Sequence, residues 1–479
     1  MRKTKIVCTL GPATDDKKVL KELMLTGMNV ARINFSHGNY QDQEDRINTF
    51  KKVRKELKLP IPLLLDTQGP EIRIGKFESG RIELKKGELF SLIQENMLGD
   101  ETKVSISYKS LCNEVTVGNL ILVNDGTIEL EVAEIHDGDI VCKVVHGGPL
   151  TDRKSVNVPG LKLNLPSITE KDIEDISYGV RVGFDYIAAS FVRKPEDVIA
   201  IRKVLEENGG EDIRIIAKIE NREGVDNFDA ILDIADGIMV ARGDLGVEIP
   251  IEEVPILQKQ FIKKTYKQGK PVITATQMLE SMILNPKPTR AEVSDVANSV
   301  YDVSSAIMLS GETATGKYPI ECVAVMDRVT AAIEKSVHYW SRFRKRDYNF
   351  SGFDCKFNMN YSVCMASANV GAKAILAYTD TGNTSRILSS FTPECPIFAI
   401  TENEITYRQL GLCWNITPKL FKKQRSIDEL IKLAIEELKS EGILQEGDII
   451  VIAGGQNIVQ NLETSSDSLN RVMGGLIKI

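Results

Sequence analysis

Eight short apolar segments that read as β-strands alternate with helical stretches, and this alternation constrains the fold more than any other feature of the 479-residue chain. Strands separated by helices in this way are typical of parallel βαβ architecture. Eight such units predict a closed (β/α)8 TIM barrel, in which functional residues collect at the carboxyl ends of the strands. The predicted strands are Lys5 to Leu10, Asn29 to Phe35, Pro62 to Asp66, Tyr186 to Val192, Arg214 to Glu220, Gly237 to Asp244, Pro271 to Gln277 and Ala306 to Glu312.

Polar side chains recur where these predicted strands end. In the segment RIIAKIEN, Lys218 and Glu220 stand two positions apart, so they project from the same face of the strand. A charged side chain that simply extends into solvent would explain the polar end of any one strand. The repetition across most of the eight strands favours one shared polar mouth. The other polar residues at strand ends are Arg32, Asn34, Ser36, Asp66, Arg193, Arg242, Asp244, Thr276, Ser310 and Glu312.

Two further regions depart from the βα alternation. Between residues 70 and 167, short alternating strands with Asp-Gly turns predict an inserted β-barrel domain that closes over the mouth as a lid, with a rigid appendage as the alternative. After residue 345 the α/β alternation resumes, and one helix is predicted to begin at Ser426. The predicted domains are the barrel from residues 1–69 and 168–345, the inserted domain from residues 70–167 and a C-terminal α/β domain from residues 355–479.

Composition excludes several classes of protein. Hydrophobic residues make up 42% of the chain and charged residues 27%, which is ordinary for a globular protein. The net charge of -7 argues against a general nucleic-acid or membrane surface, and the eight cysteines lack the spacing of a zinc site or a disulfide framework. No apolar run approaches the roughly 18 residues of a membrane span, and no cleavage site follows the N-terminus, so we expect a cytoplasmic protein without nucleic-acid or membrane partners.

One motif resembles a nucleotide-binding loop but lacks a residue that this loop requires. GETATGKY, from Gly311 to Tyr318, nearly matches the phosphate-binding loop G-x-x-x-x-G-K-[ST] and follows a predicted strand. Tyr318 stands where that loop requires the hydroxyl that ligates magnesium. The segment is therefore not interpreted as a nucleotide loop.

Glu220 and Asp244 form a stronger constellation. Both offer a carboxylate from consecutive strands, and magnesium is commonly held by one or two protein carboxylates while substrate and water complete its shell. With Lys218 beside them they form a pocket suited to phosphate, carboxylate or a developing enolate. A plain ion pair between Lys218 and Glu220 is the alternative. If a short helical turn begins at Asp244, its free N–H groups and the small Gly243 favour an anionic ligand.

Long motifs in this order resemble the pyruvate kinase family over nearly the entire chain. They are MNVARINFSHG, LLLDTQGPEIR, KSVNVPG, AKIENREG, VARGDLGVEIP, ATQMLESM, PTRAEVSDVANSVYD and MLSGETATGKYP. The resemblance implies the three domains predicted above, the last of them regulatory. It also implies a glycolytic enzyme that transfers phosphate from phosphoenolpyruvate to ADP, giving pyruvate and ATP. Its cofactors would be Mg²⁺ or Mn²⁺ and K⁺, and the protein would be a homotetramer.

The resemblance also implies roles for residues at the mouth. Arg32 would contact the transferring phosphate, and Lys218 would stabilise charge during transfer and on the enolate. Glu220 and Asp244 would bind the divalent ion. The substrate carboxylate would be held by Gly243, Asp244 and Thr276. The potassium ligands would be Asn34, Ser36, Asp66 and Thr67, and the nucleotide would meet Arg73, Lys154 and His37, although a core histidine is the alternative for the last.

Three positions and one segment bear on regulation and specificity within that resemblance. Glu71 is the residue that potassium-dependent members carry. Gln68 and Ser155 replace a lysine and a glycine common in relatives, which bears on nucleotide binding and lid closure. The segment TDTGNTS resembles the family's effector-phosphate loop and implies a sugar-phosphate effector, with a structural helix cap as the alternative. Its candidate residues are Thr379, Thr381, Gly382, Asn383 and Thr384.

The enolate left by phosphoryl transfer must still be protonated at carbon. Because Lys218 is needed as a charged group beside the phosphate, we expect a water relay through Thr276 and Ser310 to deliver the proton. Two other functions stay open at this stage. One is a metal-dependent lyase or aldolase acting on a pyruvate enolate, which would not need ADP. The other is a catalytically inert sugar-phosphate sensor, against which the retention of the charged mouth residues speaks.

Overall fold

A computed structural model of the chain describes residues 1–36, 38–346, 355–424, 426–454 and 475–479. The chain begins with three parallel barrel strands and the helices between them. These elements are β1 (Lys5–Thr9), α1 (Lys17–Thr26), β2 (Val30–Asn34), α2 (Tyr40–Leu57) and β3 (Leu63–Asp66).

An additional sheet domain follows the third barrel strand, as predicted. Its strands are β4 (Ile72–Arg73), β5 (Arg81–Leu84), β6 (Leu89–Ile93), β7 (Lys103–Ser105), β8 (Leu120–Val123), β9 (Ile128–His136), β10 (Asp139–His146), β11 (Gly148–Thr151) and β12 (Ser155–Asn157). Seven of them form one sheet in the order β4-β12-β8-β9-β10-β6-β7, and an antiparallel bridge between Ile74 and Ile106 joins its two ends. Its apolar side chains bury one another in a separate core. The predicted Asp125-Gly126 turn connects β8 to β9, with φ angles of 55° and 79°.

The barrel then resumes with five strands and most of its outer helices. The strands are β13 (Tyr186–Ala189), β14 (Arg214–Ile219), β15 (Gly237–Ala241), β16 (Val272–Ala275) and β17 (Ala306–Leu309). The helices are α3 (Glu170–Val182), α4 (Pro195–Glu207), α5 (Arg222–Asp226), α6 (Phe228–Ile234), α7 (Arg242–Glu248), α8 (Val254–Lys267), α9 (Arg290–Tyr301), α10 (Gly311–Ala314) and α11 (Pro319–Ser336).

The eight parallel strands close in the order β1-β17-β16-β15-β14-β13-β3-β2, which confirms the predicted barrel. Alternate side chains of each strand enter two different cores, as the two-residue period requires. Ile216 of β14 packs inside the barrel, whereas Ile215 and Ala217 pack outward against the helices. Several strands are shorter than predicted. The sixth ends at Ala241, so a helix begins at Arg242 and not at Asp244.

The C-terminal part is an α/β domain, as predicted. After the connecting helix α12 (Tyr339–Lys345), it contains α13 (Cys355–Val370), β18 (Ala374–Tyr378), α14 (Asn383–Ser390), β19 (Ile397–Thr401), α15 (Glu404–Gln409), β20 (Ile416–Leu420), α16 (Ile427–Ser440), β21 (Ile449–Ala453) and β22 (Gly475–Lys478). Its sheet has the order β20-β19-β18-β21-β22, with β22 antiparallel to β21. The Ser426 side chain caps α16 by accepting from the Glu429 N–H at 3.2 Å.

The C-terminal domain closes the amino-terminal end of the barrel. Leu412 is fully buried and belongs to the same cluster as the inward side chains of the barrel strands. The Tyr186 hydroxyl donates to the carbonyl of Gln409 at 2.7 Å, and Lys5 donates to the carbonyl of Ile416 at 2.7 Å. The carboxyl ends of the barrel strands lie at the opposite end from this contact. Among the described residues, no helix combines the length and apolarity that a membrane crossing requires.

Candidate active site

Toward the carboxyl ends of the barrel strands, the inward-facing positions change from apolar to polar residues. In β14, Ile216 faces the interior, so Lys218 and Glu220 two and four positions later share its face. The same count places Arg32 after Val30 and Asp66 after Leu64. The predicted convergence at one mouth is therefore a direct consequence of the inward register.

Lys218 lies at the centre of this mouth. Its Nζ is 3.0 Å from Oδ1 of Asp66, 3.1 Å from Oε1 of Glu220 and 2.7 Å from the Ser190 hydroxyl. The side chain is 11% exposed. Burial works against its positive charge, but the charges of Asp66 and Glu220 outweigh burial and raise the pKa of Lys218 above its ordinary value. Lys218 is therefore a fixed cation at neutral pH.

The two carboxylate oxygens of Glu220 have different surroundings. Its Oε2 accepts from the backbone N–H of Phe191 at 2.5 Å, whereas its buried Oε1 forms the ion pair with Lys218 that the sequence left open as an alternative and accepts no hydrogen bond from the described residues. Burial raises the pKa of Glu220 to about 7, because the charge of Lys218 offsets only part of the desolvation. The nearby negative charge of Asp244 raises this pKa further. An additional cation at Oε1 would offset the desolvation of the Glu220 carboxylate. The site therefore fits a divalent ion on chemical grounds.

Arg32 and Asp66 form a buried ion pair on the other side of Lys218. Arg32 Nε lies 2.6 Å from Oδ2 of Asp66, and its Nη1 donates to the Thr9 hydroxyl at 2.9 Å. Although burial opposes it, the charges of Arg32 and Lys218 hold the pKa of Asp66 below its ordinary value. Asp66 thus stays ionised and fixes the position of both cations.

Gly243 and Thr276 lie in contact with each other, whereas Arg242 turns away from the mouth. The Gly243 N–H donates to the Thr276 hydroxyl at 2.8 Å. Arg242 turns toward the loop after β16, where it donates to the carbonyls of Ala275 and Thr276 at 3.2 and 2.6 Å and pairs with Asp295 at 2.7 Å. It thereby supports Thr276, whose φ of 66° is unusual for a β-branched residue.

Ser310 and Glu312 have different roles at the end of β17. The Ser310 hydroxyl is buried and has no hydrogen-bond partner among the described residues. Glu312, which is 2% exposed, accepts from the backbone N–H of Ser310 at 2.7 Å and from that of Leu279 at 3.1 Å. Glu312 therefore ties the end of β17 to the loop that carries Thr276.

A cleft of about 370 Å³ lies between the barrel mouth and the inserted domain. Asp125, Lys154 and Ser155 line it from the inserted domain. Glu71 is already paired with Arg73 at 2.6 Å, and burial raises the pKa of Glu71. Thr67, Gly243, Thr276 and Ser310 are not part of the wall of this cleft, and His37 lies outside the described residues. The predicted site residues in its wall are Arg32, Asn34, Ser36, Asp66, Arg73, Lys154, Lys218, Glu220 and Asp244.

The predicted potassium and effector residues occupy two separate places. Asn34 Oδ1 accepts from the Ser36 N–H at 3.0 Å, and the Thr67 carbonyl accepts from the Ser190 hydroxyl at 2.6 Å. In the C-terminal domain, α14 begins after Gly382, which both the effector-loop and the helix-cap interpretations of TDTGNTS expect. The neighbouring predicted effector residues there are Thr379, Thr381, Asn383 and Thr384.

Ser190 and Thr9 are site residues that the sequence prediction missed. Ser190 contacts both Lys218 and Asp66, and Thr9 holds Arg32. Both continue the inward register of their strands, after Ala188 and Val7 respectively. The inward register of the strands therefore indicated both residues. For the fourth strand, however, the interpretation chose Arg193 because Arg193 carries a charge.

Comparison with known proteins agrees with this architecture. The family model "Pyruvate kinase, barrel domain" matches residues 1–323, and the model "Pyruvate kinase, alpha/beta domain" matches residues 358–466. The pyruvate kinase of Clostridium perfringens is 47% identical over 457 residues, which cover 95% of this chain and 96% of the relative. That of Clostridium acetobutylicum is 46% identical over 456 residues, with the same coverage of 95% and 96%. That of Sporosarcina psychrophila is 47% identical over 461 residues, covering 95% of this chain and 78% of the relative.

Proposed function

The chain belongs to the pyruvate kinase family and is a phosphotransferase, and on this premise we propose how its own side chains move a phosphoryl group from phosphoenolpyruvate to ADP. The observation that carries the proposal is the packing of Lys218 between Asp66, Ser190 and Glu220 at the cleft. Nothing in the comparisons favours a lyase, an aldolase or an inert sensor.

Positioning and charge do most of the work in phosphoryl transfer. In the reaction, an oxygen of the ADP β-phosphate attacks phosphorus, and the bond from phosphorus to the enol oxygen breaks with its electron pair left on that oxygen. Arg32 and Lys218, both held by Asp66, present two fixed cations to the transferring group. As the bond breaks, Lys218 stabilises the negative charge on the enolate. Arg73 and Lys154 would bind the nucleotide phosphates at the edge of the same cleft.

Glu220 and Asp244 would hold Mg²⁺ or Mn²⁺ at this cleft. Oε1 of Glu220 supports this assignment, since it pairs with Lys218 but accepts no hydrogen bond from the described residues. No group of three or more His, Cys, Asp or Glu side chains suited to a metal occurs among the described residues, so two carboxylates would leave the remaining positions to substrate and water. When bound, the ion supplies Lewis-acid stabilisation to phosphoryl and carboxylate oxygens. Gly243 and Thr276 would hold the substrate carboxylate beside it.

The direct test is pyruvate formation from phosphoenolpyruvate, with ADP, the divalent ion and K⁺ omitted in turn. We expect no pyruvate above background without ADP or without the divalent ion. Pyruvate formed at the full rate without ADP would contradict phosphoryl transfer to ADP, because water would then have to accept the phosphoryl group.

Potassium should act through Asn34, Ser36, Asp66 and Thr67. We expect the rate without K⁺ to fall at least about tenfold, since the ion adds a positive charge near the transferring phosphate. Glu71→Lys places a fixed cation there and should reduce this dependence to about twofold or less. Initial rates in K⁺ and in a large organic cation measure it. The exposed Glu83 of β5 supplies the control, Glu83→Lys, and an equal K⁺ requirement in both variants would contradict the role of Glu71.

Proton delivery to the enolate should depend on Ser310 with Thr276. We expect Ser310→Ala to slow the exchange of pyruvate methyl protons with D₂O about 100-fold, because the relay loses its hydroxyl. Mass spectrometry of the recovered pyruvate measures the exchange. Ser299 on α9 also has a buried hydroxyl without a hydrogen-bond partner among the described residues, so Ser299→Ala is the matched control. Full exchange in the Ser310 variant would exclude the relay.

Other properties follow from family membership as proposals. Thr379, Thr381, Gly382, Asn383 and Thr384 would bind the phosphate of a sugar-phosphate effector at the start of α14. The protein would work in the cytoplasm as a homotetramer. The domain boundaries given above also remain predictions.

A further inference from the structure

The loop after β13, from Ser190 to Arg193, contacts the two central side chains of the mouth. The Ser190 hydroxyl lies 2.7 Å from Nζ of Lys218. The N–H of the next residue, Phe191, donates to Oε2 of Glu220 at 2.5 Å. Two consecutive residues therefore fix the positions of Lys218 and Glu220.

The other end of the loop binds the segment through which the inserted domain returns to the barrel. Arg193 donates from Nη2 to the carbonyls of Leu165 and Pro166, at 3.0 Å each, and from Nη1 to the carbonyl of Leu163 at 3.3 Å. The same guanidinium forms an ion pair with Asp197, in which Nε of Arg193 lies 3.4 Å from Oδ2. Arg193 is 7% exposed, so one buried side chain crosslinks three carbonyls of the returning segment.

The outgoing connection to the inserted domain packs on the same loop. Gly69 has a φ of 71°, and a Cβ there would lie 2.9 Å from Cβ of Ser190 and 3.0 Å from the ring of Phe191. Its N–H donates to Asp172 at 3.0 Å. Both connections of the inserted domain thus meet on one short loop.

The loop has a backbone conformation that its surroundings must enforce. Phe191 has a φ of 55°, which is uncommon for a bulky residue. Such conformations persist where neighbouring contacts hold them. Here the neighbours are Gly69, Glu220 and, through Arg193, the returning segment. A shift of any one of these neighbours would change the contacts that hold the backbone of Phe191 in this conformation.

We infer that the Ser190–Arg193 loop transmits the position of the inserted domain to Lys218 and Glu220, with Arg193 as the positioning residue. A movement of Leu163 to Pro166 displaces Arg193, which in turn moves the Phe191 N–H and the Ser190 hydroxyl. Coupling between two sites is reciprocal, so a divalent ion on Glu220 must also shift the inserted domain. This inference rests on the proposed role of Glu220 as a metal ligand.

The variant Arg193→Lys tests the coupling on the intact protein. Lysine keeps the charge beside Asp197 but cannot span three carbonyls. We expect the affinity for Mn²⁺, measured by electron paramagnetic resonance without substrate, to fall about tenfold. Arg202→Lys is the matched control, because Arg202 also pairs with a carboxylate, Asp236, and donates to a carbonyl, that of Ile213, away from the mouth. Equal Mn²⁺ affinity in both variants would overturn the inference.

Hydrogen exchange of the wild type gives a second test that does not depend on how the variant folds. On addition of Mn²⁺, we expect the amides of Phe191 and of Leu163 and Leu165 to change their exchange rates together. A change at Phe191 with unchanged exchange at Leu163 and Leu165 would also overturn the inference.

Failure of the metal assignment is distinguishable from failure of the coupling. If Glu220→Gln binds Mn²⁺ as tightly as the wild type does, Glu220 is not the ligand and the premise is wrong. If Glu220→Gln loses Mn²⁺ while Arg193→Lys keeps it, the premise holds and only the coupling is wrong.

Discussion

Replacing Lys218 by methionine is expected to lower kcat about 1000-fold or more, since it removes the fixed cation beside the transferring phosphoryl group. The Nζ of Lys218 is held within 3.1 Å of Asp66, Ser190 and Glu220, so no other side chain can take its place without rearrangement. Methionine conserves the length and apolar contacts of the lysine stem. Steady-state initial rates with phosphoenolpyruvate and ADP measure the effect.

The same variant must be checked for folding, because Asp66 and Glu220 lose a buried partner. Removing one member of a buried ion pair can cost about 3–5 kcal/mol of unfolding free energy. Circular dichroism and Mn²⁺ affinity should show a folded protein whose metal binding is not weakened, since the site loses a positive charge. The exposed Lys264, which pairs with Asp229 on the outer surface, supplies the control Lys264→Met. A kcat within tenfold of the wild type would contradict the role of Lys218.

Glu220→Gln should have the second largest effect. We expect the Mn²⁺ affinity to weaken about 100-fold or more, and activity at a fixed metal concentration to fall with it, because a hard carboxylate ligand becomes a neutral amide. Glutamine keeps the size of the side chain and can still accept from the Phe191 N–H. Isothermal titration with Mn²⁺ gives the affinity, and rates at increasing Mn²⁺ show whether the loss is one of binding.

A surface carboxylate provides the comparison for this variant. Glu253 pairs with Arg222 and is 40% exposed, so Glu253→Gln removes a carboxylate without touching the mouth. Its Mn²⁺ affinity should equal that of the wild type. If the two variants bind Mn²⁺ equally well, the divalent ion is not held by Glu220.

The barrel and its mouth could be predicted because one physical rule governs both. Side chains alternate along a strand, so the parity that buries Ile216 also aims Lys218 and Glu220 at the mouth. The prediction of Lys218 with Glu220 therefore needed only the strand and its end. Ser190 obeys the same rule but carries no charge, which is why it was missed.

Contacts with other elements could not be predicted from a strand alone. Arg242 follows the end of a strand, yet its guanidinium donates to the carbonyls of Ala275 and Thr276 and turns away from the mouth. The strand β20 contains Pro418, which argues against a strand in sequence but is tolerated here because β20 is an edge strand. The strand β22 is short and, within the part of the chain that the structure describes, pairs with β21 alone. In each case the deciding partner is distant in sequence.

Anomalous diffraction from crystals grown with Mn²⁺ and a phosphoenolpyruvate analogue tests the central claim most directly. We predict a Mn²⁺ peak with carboxylate oxygens of both Glu220 and Asp244 at about 2.1 Å, and Lys218 facing the phosphate position beside it. A Mn²⁺ ion held by other residues, or a Lys218 turned away from the analogue, would contradict the account.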